Sequence, residues 1–532
     1  MAEPLHLLFV AAENDALPGC KVGGVGDVVR DVPLALSAHP AFEGTITVVT
    51  PSYGFLHASP LRLLGSVEFA FSGERTSAEL FEVAPKRTAP NVRHVVVHHP
   101  SFEFIDPTTG RHRIYCDDPP GEPFATDATR YARFCAALAE SLLLGKLGAV
   151  NRVHLHDWHT GFFLILREFE PRYSLLRGIK AAFSIHNLAL QGVRPLRGYE
   201  SALESWFPGL QYDLAVVEDP EYLGCMNPMA VGIRLADRVH VVSPNYADEI
   251  CLPSRPKRNH PDCVFFGGEG LEFELLRAKD EGRLVGILNG CEYPPGQSLS
   301  LRDDASWLKL VDTIYSEVAR WPGATSNPRH AGTLRRLLEW KRRARPGVVM
   351  TSVTRVVDQK VRLMRFPEGP TPIERVLART GNDAVYILAG TGDAQYESFF
   401  ADLTGLYENL LFINGFSVSS AEALYGEGDL FLMPSAFEPC GISQMLAMRE
   451  GQPCVVHATG GLKDTVIDGE TGFAFDGTTQ EALGMGFMEK TMSAVRMKIN
   501  RSAEFEAIRS RAAAQRFLWS DAVGQYLERL YR

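Results

Sequence analysis

Residues 5–31, "LHLLFVAAENDALPGCKVGGVGDVVRD", run from an apolar stretch into a loop that packs Lys21 and three glycines into residues 20–26. An apolar run that ends in polar residues and passes through a glycine loop is the pattern of a buried parallel strand feeding a helix. Neither common phosphate motif fits the loop. The dinucleotide fingerprint needs G-x-G-x-x-G, and the triphosphatase loop puts its lysine after the glycines, whereas Lys21 precedes Gly23, Gly24 and Gly26. Two readings stand: a tight turn, or a loop without Cβ atoms whose backbone N–H groups meet a phosphate at a helix N-terminus while Lys21 adds charge.

The same pattern recurs along the chain. "GTITVVTPSY", "NRVHLHDWH", "KAAFSIHN", "DRVHVVSP" and "RLVGILNG" continue it in the first half, and "GVVMTSVTR", "AVYILAGTGD", "NLLFINGF", "GDLFLMPSAFEP" and "QPCVVHATGG" in the second. Two such series in 532 residues predict two doubly wound α/β domains, since a single core stops growing well below this length. The reading divides the chain into a first Rossmann-like domain over 1–290, a linker with one connecting helix over 291–345, a second Rossmann-like domain over 346–510, and a closing helix over 511–532. In that last segment Phe517, Val523, Tyr526, Leu527 and Leu530 follow helical spacing, which predicts docking.

Bulk properties exclude several classes. A net charge of -10, from 54 basic and 64 acidic residues, argues against a general nucleic-acid binder. The basic runs at 255–260 and 341–345 read as solvated faces. Nine cysteines without a C-x-x-C pair speak against a disulfide framework or zinc site and fit a reducing cytoplasm. The first residues lack the basic start of a secretory signal, and no stretch nears the ~18 apolar residues of a membrane span.

In open parallel sheets ligands bind beyond the carboxyl ends of the strands, so the polar residues that end these runs are the candidates. Arg355 and Lys360 follow the first strand of the second domain at a spacing that can aim both at one phosphate group. Alone they are surface charges; cations at strand ends of both domains suit a pyrophosphate held between two walls. "HDWHTG" (156–161) invites a metal reading, but adjacent side chains of an extended segment point to opposite sides, so no metal is expected. A sugar site suits it better, with Asp157 accepting from hydroxyls and Trp158 packing against a ring, unless Trp158 is an aromatic core residue. His186 and Asn187 end "AAFSI". Glu438 precedes Pro439 and Gly441, which fix a turn, and is either a sugar-binding carboxylate or a capping acid.

Taken in order, K-x-G-G-x-G-D-V, H-D-W-H-T-G, I-H-N-L-A-x-Q-G, L-N-G, R-x-x-x-Q-K, G-T-G-D, F-E-P-C-G-I-S-Q and T-G-G-L-K-D-T-V resemble the bacterial glycogen synthase and plant starch synthase family, from about residue 6 to 532. The resemblance implies the GT-B architecture: two doubly wound Rossmann-like domains facing an interdomain cleft, with the last helix crossing back to the first domain. It implies retaining transfer of glucose from ADP-glucose to the 4-OH of an α-1,4-glucan or maltooligosaccharide, without cofactor or metal. The catalytic set it implies is His186, Arg355, Lys360, Glu438 and Asp157, with His186 at the sugar's 6-hydroxyl and Glu438 on the glucose hydroxyls. Lys21, Gly23, Gly24, Gly390, Thr391, Gly392, Asp393, Cys440, Gly441, Thr459, Gly460 and Gly461 line the donor, and Asp27, Trp158, Asn187 and Gln191 the acceptor. Partners are the nucleotide sugar and the glucan, with neither nucleic acid nor membrane; the oligomeric state is not encoded in any motif.

Four positions in three motifs depart from the family pattern. P-S-R-F-E-P-C-G becomes Pro434-Ser435-Ala436-Phe437, which removes a cation; Q-K-G becomes Gln359-Lys360-Val361; and N-G-I-D becomes Asn289-Gly290-Cys291-Glu292. These changes spare the donor-phosphate residues and bear on acceptor, sugar and rate. Alternatives are a relative with another donor or a small acceptor, and a non-catalytic glucan-binding protein. The E-x7-E transferases are disfavoured because Leu446 stands eight residues after Glu438.

Overall fold

The computed structural model describes residues 4–107, 109–256, 262–294, 296, 299–367 and 369–532. The chain forms two units: one holds residues 1–253, 267–289 and 519–532, the other 254–266 and 290–518. Of the basic run 255–260, residues 257–260 lie outside the described residues.

The first unit is built on the strands β1 (Leu5–Val10), β2 (Gly44–Pro51), β3 (Pro60–Phe71), β4 (Glu74–Val83), β5 (Val92–His98), β6 (Arg152–His156), β7 (Lys180–Ile185), the short pair β8 (Arg194–Pro195) and β9 (Cys225–Met226), β10 (Arg238–Val241) and β11 (Leu284–Gly286). Nine of them form one sheet in the order β11-β10-β7-β6-β1-β2-β5-β4-β3. Pairing is parallel from β11 through β5 and antiparallel at the β5-β4-β3 edge. The chain winds outward from β1 in both directions, so the order reverses between β1 and β6, and that switch point leaves a crevice at the carboxyl ends of the two strands.

The helix Gly24–Ala38 covers one face of this sheet, and Trp519–Arg529 packs beside it. Val28, Val29, Val32 and Leu36 meet Trp519, Val523, Tyr526, Leu527 and Tyr531 in one apolar cluster with Leu7 and Phe9. Each fully buried valine, leucine and phenylalanine side chain here contributes roughly 1.5–3 kcal/mol relative to exposure. The segment expected as a single closing helix is two: Ser502–Ala514 belongs to the second unit, and the docked helix starts at Trp519.

The second unit has β12 (Val348–Val353), β13 (Ala384–Gly390), β14 (Leu410–Asn414), β15 (Leu430–Met433), β16 (Cys454–His457) and β17 (Gly472–Phe475). Their order is β14-β13-β12-β15-β16-β17, every pair parallel, with the reversal between β12 and β15. All residues of β12 and β13 are buried, as continuous apolar runs covered on both faces require. The segment 291–345 corrects the expectation of a linker with one helix. It carries two helices, Asp304–Ala319 and Pro328–Trp340, whose Trp307, Leu310, Ile314, Leu337 and Trp340 pack against Val349, Ile387 and Leu411 of the sheet. Among the described residues no helix is long and apolar enough to cross a membrane.

Candidate active site

In the first unit the site grows from the ends of β1, β6 and β7. After β1 the chain reaches Glu13, which is buried; its Oε2 accepts from the backbone N–H groups of Val22 and Gly23 at 2.7 and 2.6 Å, while Tyr115 donates to Oε1 at 2.8 Å. One carboxylate thus ties the glycine loop to its own strand. Gly23 is the N-cap of the helix Gly24–Ala38. Lys21, exposed, pairs with Asp27 at 2.6 Å in the first turn of that helix, and Asp27 also meets Arg30 at 3.2 Å, so these two expected ligand residues belong to one charge cluster.

After β6, Asp157 adopts φ 57° and ψ 179°, a region that residues with a side chain rarely enter and that marks strain held by its surroundings. Its amide donates to Ser184 O at 2.8 Å, and its Oδ1 accepts from the His186 amide at 2.7 Å. The carboxylate therefore holds the backbone at the end of β7. Burial pushes its pKa up to about 7, against the lowering effect of the His186 and Asn187 amides. His186 Nε2 lies 2.9 Å from His156 Nδ1, and burial lowers the His186 pKa to about 3, so the ring is neutral at physiological pH.

In the second unit the site sits at the switch point between β12 and β15. Lys360, early in the helix Asp358–Arg365, forms an ion pair with Glu438 Oε2, and Ser435 donates to the same oxygen at 3.0 Å. Both contacts fall on Oε2, which orients the carboxylate. Arg355, exposed, forms neither a hydrogen bond nor an ion pair through its side chain among the described residues. The turn after Glu438 interlocks with the loop after β16: Gly461 N donates to Glu438 O at 3.0 Å, and a Cβ on Gly460, whose φ is +44°, would lie 2.0 Å from that carbonyl oxygen. Cys440 is buried, and Gly441 at φ +76° leaves room for Gln444, which donates to Cys440 O and Gly441 O. Gly460→Ala is expected to destabilise the second unit by about 1–3 kcal/mol, since a backbone oxygen cannot give way as a flexible side chain does. Urea unfolding checks this; an unchanged midpoint contradicts it.

After β13, Gly390 and Gly392 approach the chain that follows β12 so closely that a Cβ would lie 1.8 Å from Thr354 O and 2.2 Å from Val356 O. Thr391 O accepts from Val356 N at 2.9 Å, and Asp393 N donates to Val356 O at 2.9 Å. Thr391, Gly392 and Asp393 are exposed, and Thr459 lies just before the helix Gly460–Thr465.

Two expected acceptor residues are corrected. Trp158 is only 3% exposed: His159 stacks on it at 4.1 Å, Phe124 and Tyr131 meet it edge-on, and a Cβ on Gly192 would collide with its ring, so no ring face is left for a sugar. The Gln191 side chain is buried and engaged throughout, donating to Leu188 O and Glu269 O and accepting from Asn227. Asn187 is partly exposed, with Oδ1 accepting from Ala189 N at 3.0 Å. Of the departures from the family pattern, Val361 is fully buried in the apolar core of the second unit, and Ala436 is buried with its amide on Gln359 O. Sequence reasoning missed Glu13, Tyr115 and Ser435. The readable signals were an acid at the tail of a strand and a hydroxyl three residues before Glu438.

Two doubly wound sheets, each gathering charged and sugar-compatible side chains at its switch point, define a glycosyltransferase of the GT-B class. The chain belongs to the starch synthase catalytic domain family. The model of that family matches residues 6–275, and the model of group 1 glycosyl transferases matches residues 373–489. A glycogen synthase of Streptococcus equi subsp. equi is 31% identical over 550 residues, covering 99% of this chain and 99% of its own length. One of Gloeobacter violaceus is 31% identical over 482 residues, covering 89% and 88%. Among solved structures, the catalytic domain of starch synthase IV from Arabidopsis thaliana, bound to ADP and acarbose, superposes with a TM-score of 0.73 at 23% identity over 99% of both chains.

Proposed function

We propose that this enzyme transfers glucose from ADP-glucose to the 4-OH of an α-1,4-glucan with retention of configuration. The observation that carries the reading is the Lys360–Glu438–Ser435 constellation at the switch point of the second sheet, with Arg355 unpaired in the loop that leads from β12 into the helix of Lys360. Lys360 and Arg355 meet the diphosphate and stabilise the charge that grows on it as the bond to the anomeric carbon breaks. Glu438, oriented through Oε2, keeps Oε1 for the sugar hydroxyls. In the first unit Asp157 and His186 bind the transferred sugar, and Lys21 with Gly24 serves the donor phosphates. The acceptor 4-oxygen bonds to the anomeric carbon on the face the diphosphate leaves, and its proton passes to the departing phosphate oxygen. This same-face path needs no carboxylate nucleophile.

The test is a matrix of ADP-glucose, UDP-glucose and other nucleotide sugars against maltooligosaccharide, glycogen and no acceptor, read by diphosphate release and product mass. Elongated α-glucan from ADP-glucose is the expected result. Tight ADP binding without transfer to any acceptor contradicts the reading and favours a non-catalytic binding protein.

A further inference from the structure

Four imidazoles line one face of the first sheet, and strand periodicity places them there. His154 and His156 stand two apart on β6 and so share a face. Ser184 on β7 is in register with His156 and with His240 on β10, and Phe9 on β1 is in register with His154. Tyr526 and Tyr531 of the C-terminal segment cover this face. His154 Nδ1 lies 2.7 Å from Tyr531 Oη and its Nε2 2.6 Å from Ser184 Oγ, which in turn is 2.7 Å from His240 Nδ1. His156 stacks on His154 with centroids 4.3 Å apart and on Phe9 at 5.6 Å, and its Nδ1 meets His186 Nε2 at 2.9 Å.

The His156–His186 contact allows two arrangements. Burial lowers the pKa of both rings, so each is neutral and carries one proton. If His186 donates from Nε2, His156 must carry its proton on Nε2, a buried atom that no protein group reaches among the described residues. An orphaned buried N–H is among the rarest features of folded proteins, and a bare imidazole lone pair facing aromatic rings is the milder alternative. The favoured arrangement therefore has His156 donating from Nδ1 to His186 Nε2. His186 then carries its own proton on Nδ1, the nitrogen that His156 does not engage.

We propose that His156 is a positioning residue: its Nδ1–H fixes His186 as the Nδ1-protonated tautomer and thereby makes His186 a hydrogen-bond donor to a hydroxyl of the transferred sugar. The stack on His154 and Phe9 sets the plane of the His156 ring, and the Tyr531 contact ties His154 in turn to the C-terminal segment. The proposal rests on the assignment of His186 to the sugar made above. It adds that the donor character of His186 is imposed from inside the fold rather than chosen by the ligand.

The first readout needs no variant. Nitrogen-15 NMR of histidine-labelled protein, with His186 assigned by the signal lost in His186→Gln, is expected to show a protonated Nδ1 and a bare Nε2; a protonated Nε2 overturns the proposal. The second uses nucleotide sugars that each lack one hydroxyl. The native enzyme is expected to favour the full sugar over one of these by about tenfold in kcat/KM, the worth of one neutral hydrogen bond. His156→Leu is expected to erase that preference. His156→Asn, whose Nδ2–H falls near the place of the histidine Nδ1–H, is expected to restore it. Equal discrimination in native enzyme and His156→Leu overturns the proposal. If no donor is turned over, the assignment of function fails instead, and the tautomer measurement still decides whether His156 sets the state of His186. If His156→Leu does not fold, the native tautomer and His156→Asn decide.

Discussion

Replacing Lys360 by methionine is expected to lower kcat for glucosyl transfer by about 10²–10³-fold, the usual loss when one preorganised stabiliser of developing charge is removed. The same change is expected to destabilise the second unit by about 3–5 kcal/mol, because Glu438 is left as an uncompensated buried charge. Only 13% of the Lys360 side chain and 6% of the Glu438 side chain is exposed, so solvent does not screen the loss. The two effects have different causes and separate in a second variant. Lys360→Met with Glu438→Gln leaves no buried charge unpaired, and Ser435 can still donate to the glutamine oxygen. Most of the stability is therefore expected to return, while activity stays at or below that of Lys360→Met. Urea unfolding gives the first quantity and initial rates with ADP-glucose and maltooligosaccharide give the second. Recovery of activity along with stability would mean that the pair serves the fold alone and that the charge on the leaving diphosphate is met elsewhere.

The pair was legible in the sequence as two strand-end residues, but their contact was not. Strand ends are read from apolar runs that stop at a polar residue, and eleven such runs correspond to β1, β2, β6, β7, β10, β11, β12, β13, β14, β15 and β16. A search for apolar runs that stop at a polar residue passes over β3, β4 and β5, the last a buried run, Val92–His98, that ends in histidines. In β3, Val67, Phe69 and Phe71 alternate with exposed residues because an antiparallel edge pair buries one face only, a period-2 pattern rather than a continuous run. β17, four residues with an initial glycine, is too short to stand out. The segment 291–345 reads as a linker with one helix because it is polar and ends in a basic run, yet the tryptophans and leucines of its two helices fill one side of a core. In the site, residue type alone could not tell a sugar-facing Trp158 from a buried one. The deciding feature is Gly192, 34 positions away, whose missing Cβ lets the indole close against the backbone. His156 presents the converse case: its motif invites a metal reading that the sequence already argues against, and only the pairing of β6 with β7 brings it within 2.9 Å of another imidazole, His186.

The histidines also predict a steep loss of stability in mild acid. His94, His154, His156, His159, His186 and His240 are all buried in the first unit, and burial holds the pKa of each well below 6.5. An unfolded chain binds a proton at each as the pH falls through about 6.5, whereas in the folded unit burial lowers His94 to about 4 and His154, His159 and His186 to about 3, and holds His156 and His240 well below the ordinary value. A depressed histidine pKa thus contributes stability that is present above about pH 6.5 and is lost below it. Asp157 acts in the opposite sense. Its folded pKa of about 7 lies above the unfolded value, so between about pH 7 and 4 the folded unit binds the extra proton and gains stability as the pH falls. Six imidazoles against the two carboxylates whose pKa burial raises, Asp127 and Asp157, leave a net uptake of several protons on unfolding; at about 1.4 kcal/mol per proton and pH unit the loss is a few kcal/mol over the first pH unit below 6.5, where the unfolded imidazoles are only part-protonated, and steeper over the next. A domain stable by about 5–15 kcal/mol is exhausted within one to two pH units, so the first unit is expected to unfold between about pH 4.5 and 6. Urea unfolding followed by circular dichroism from pH 8 to 5 measures the slope directly. His240→Gln is expected to reduce the proton uptake by one, whatever it does to the absolute stability. A midpoint that stays flat between pH 7 and 5.5 would show that the imidazole layer accepts protons without giving way, and the neutral, tautomer-fixed His186 would then lose its physical basis.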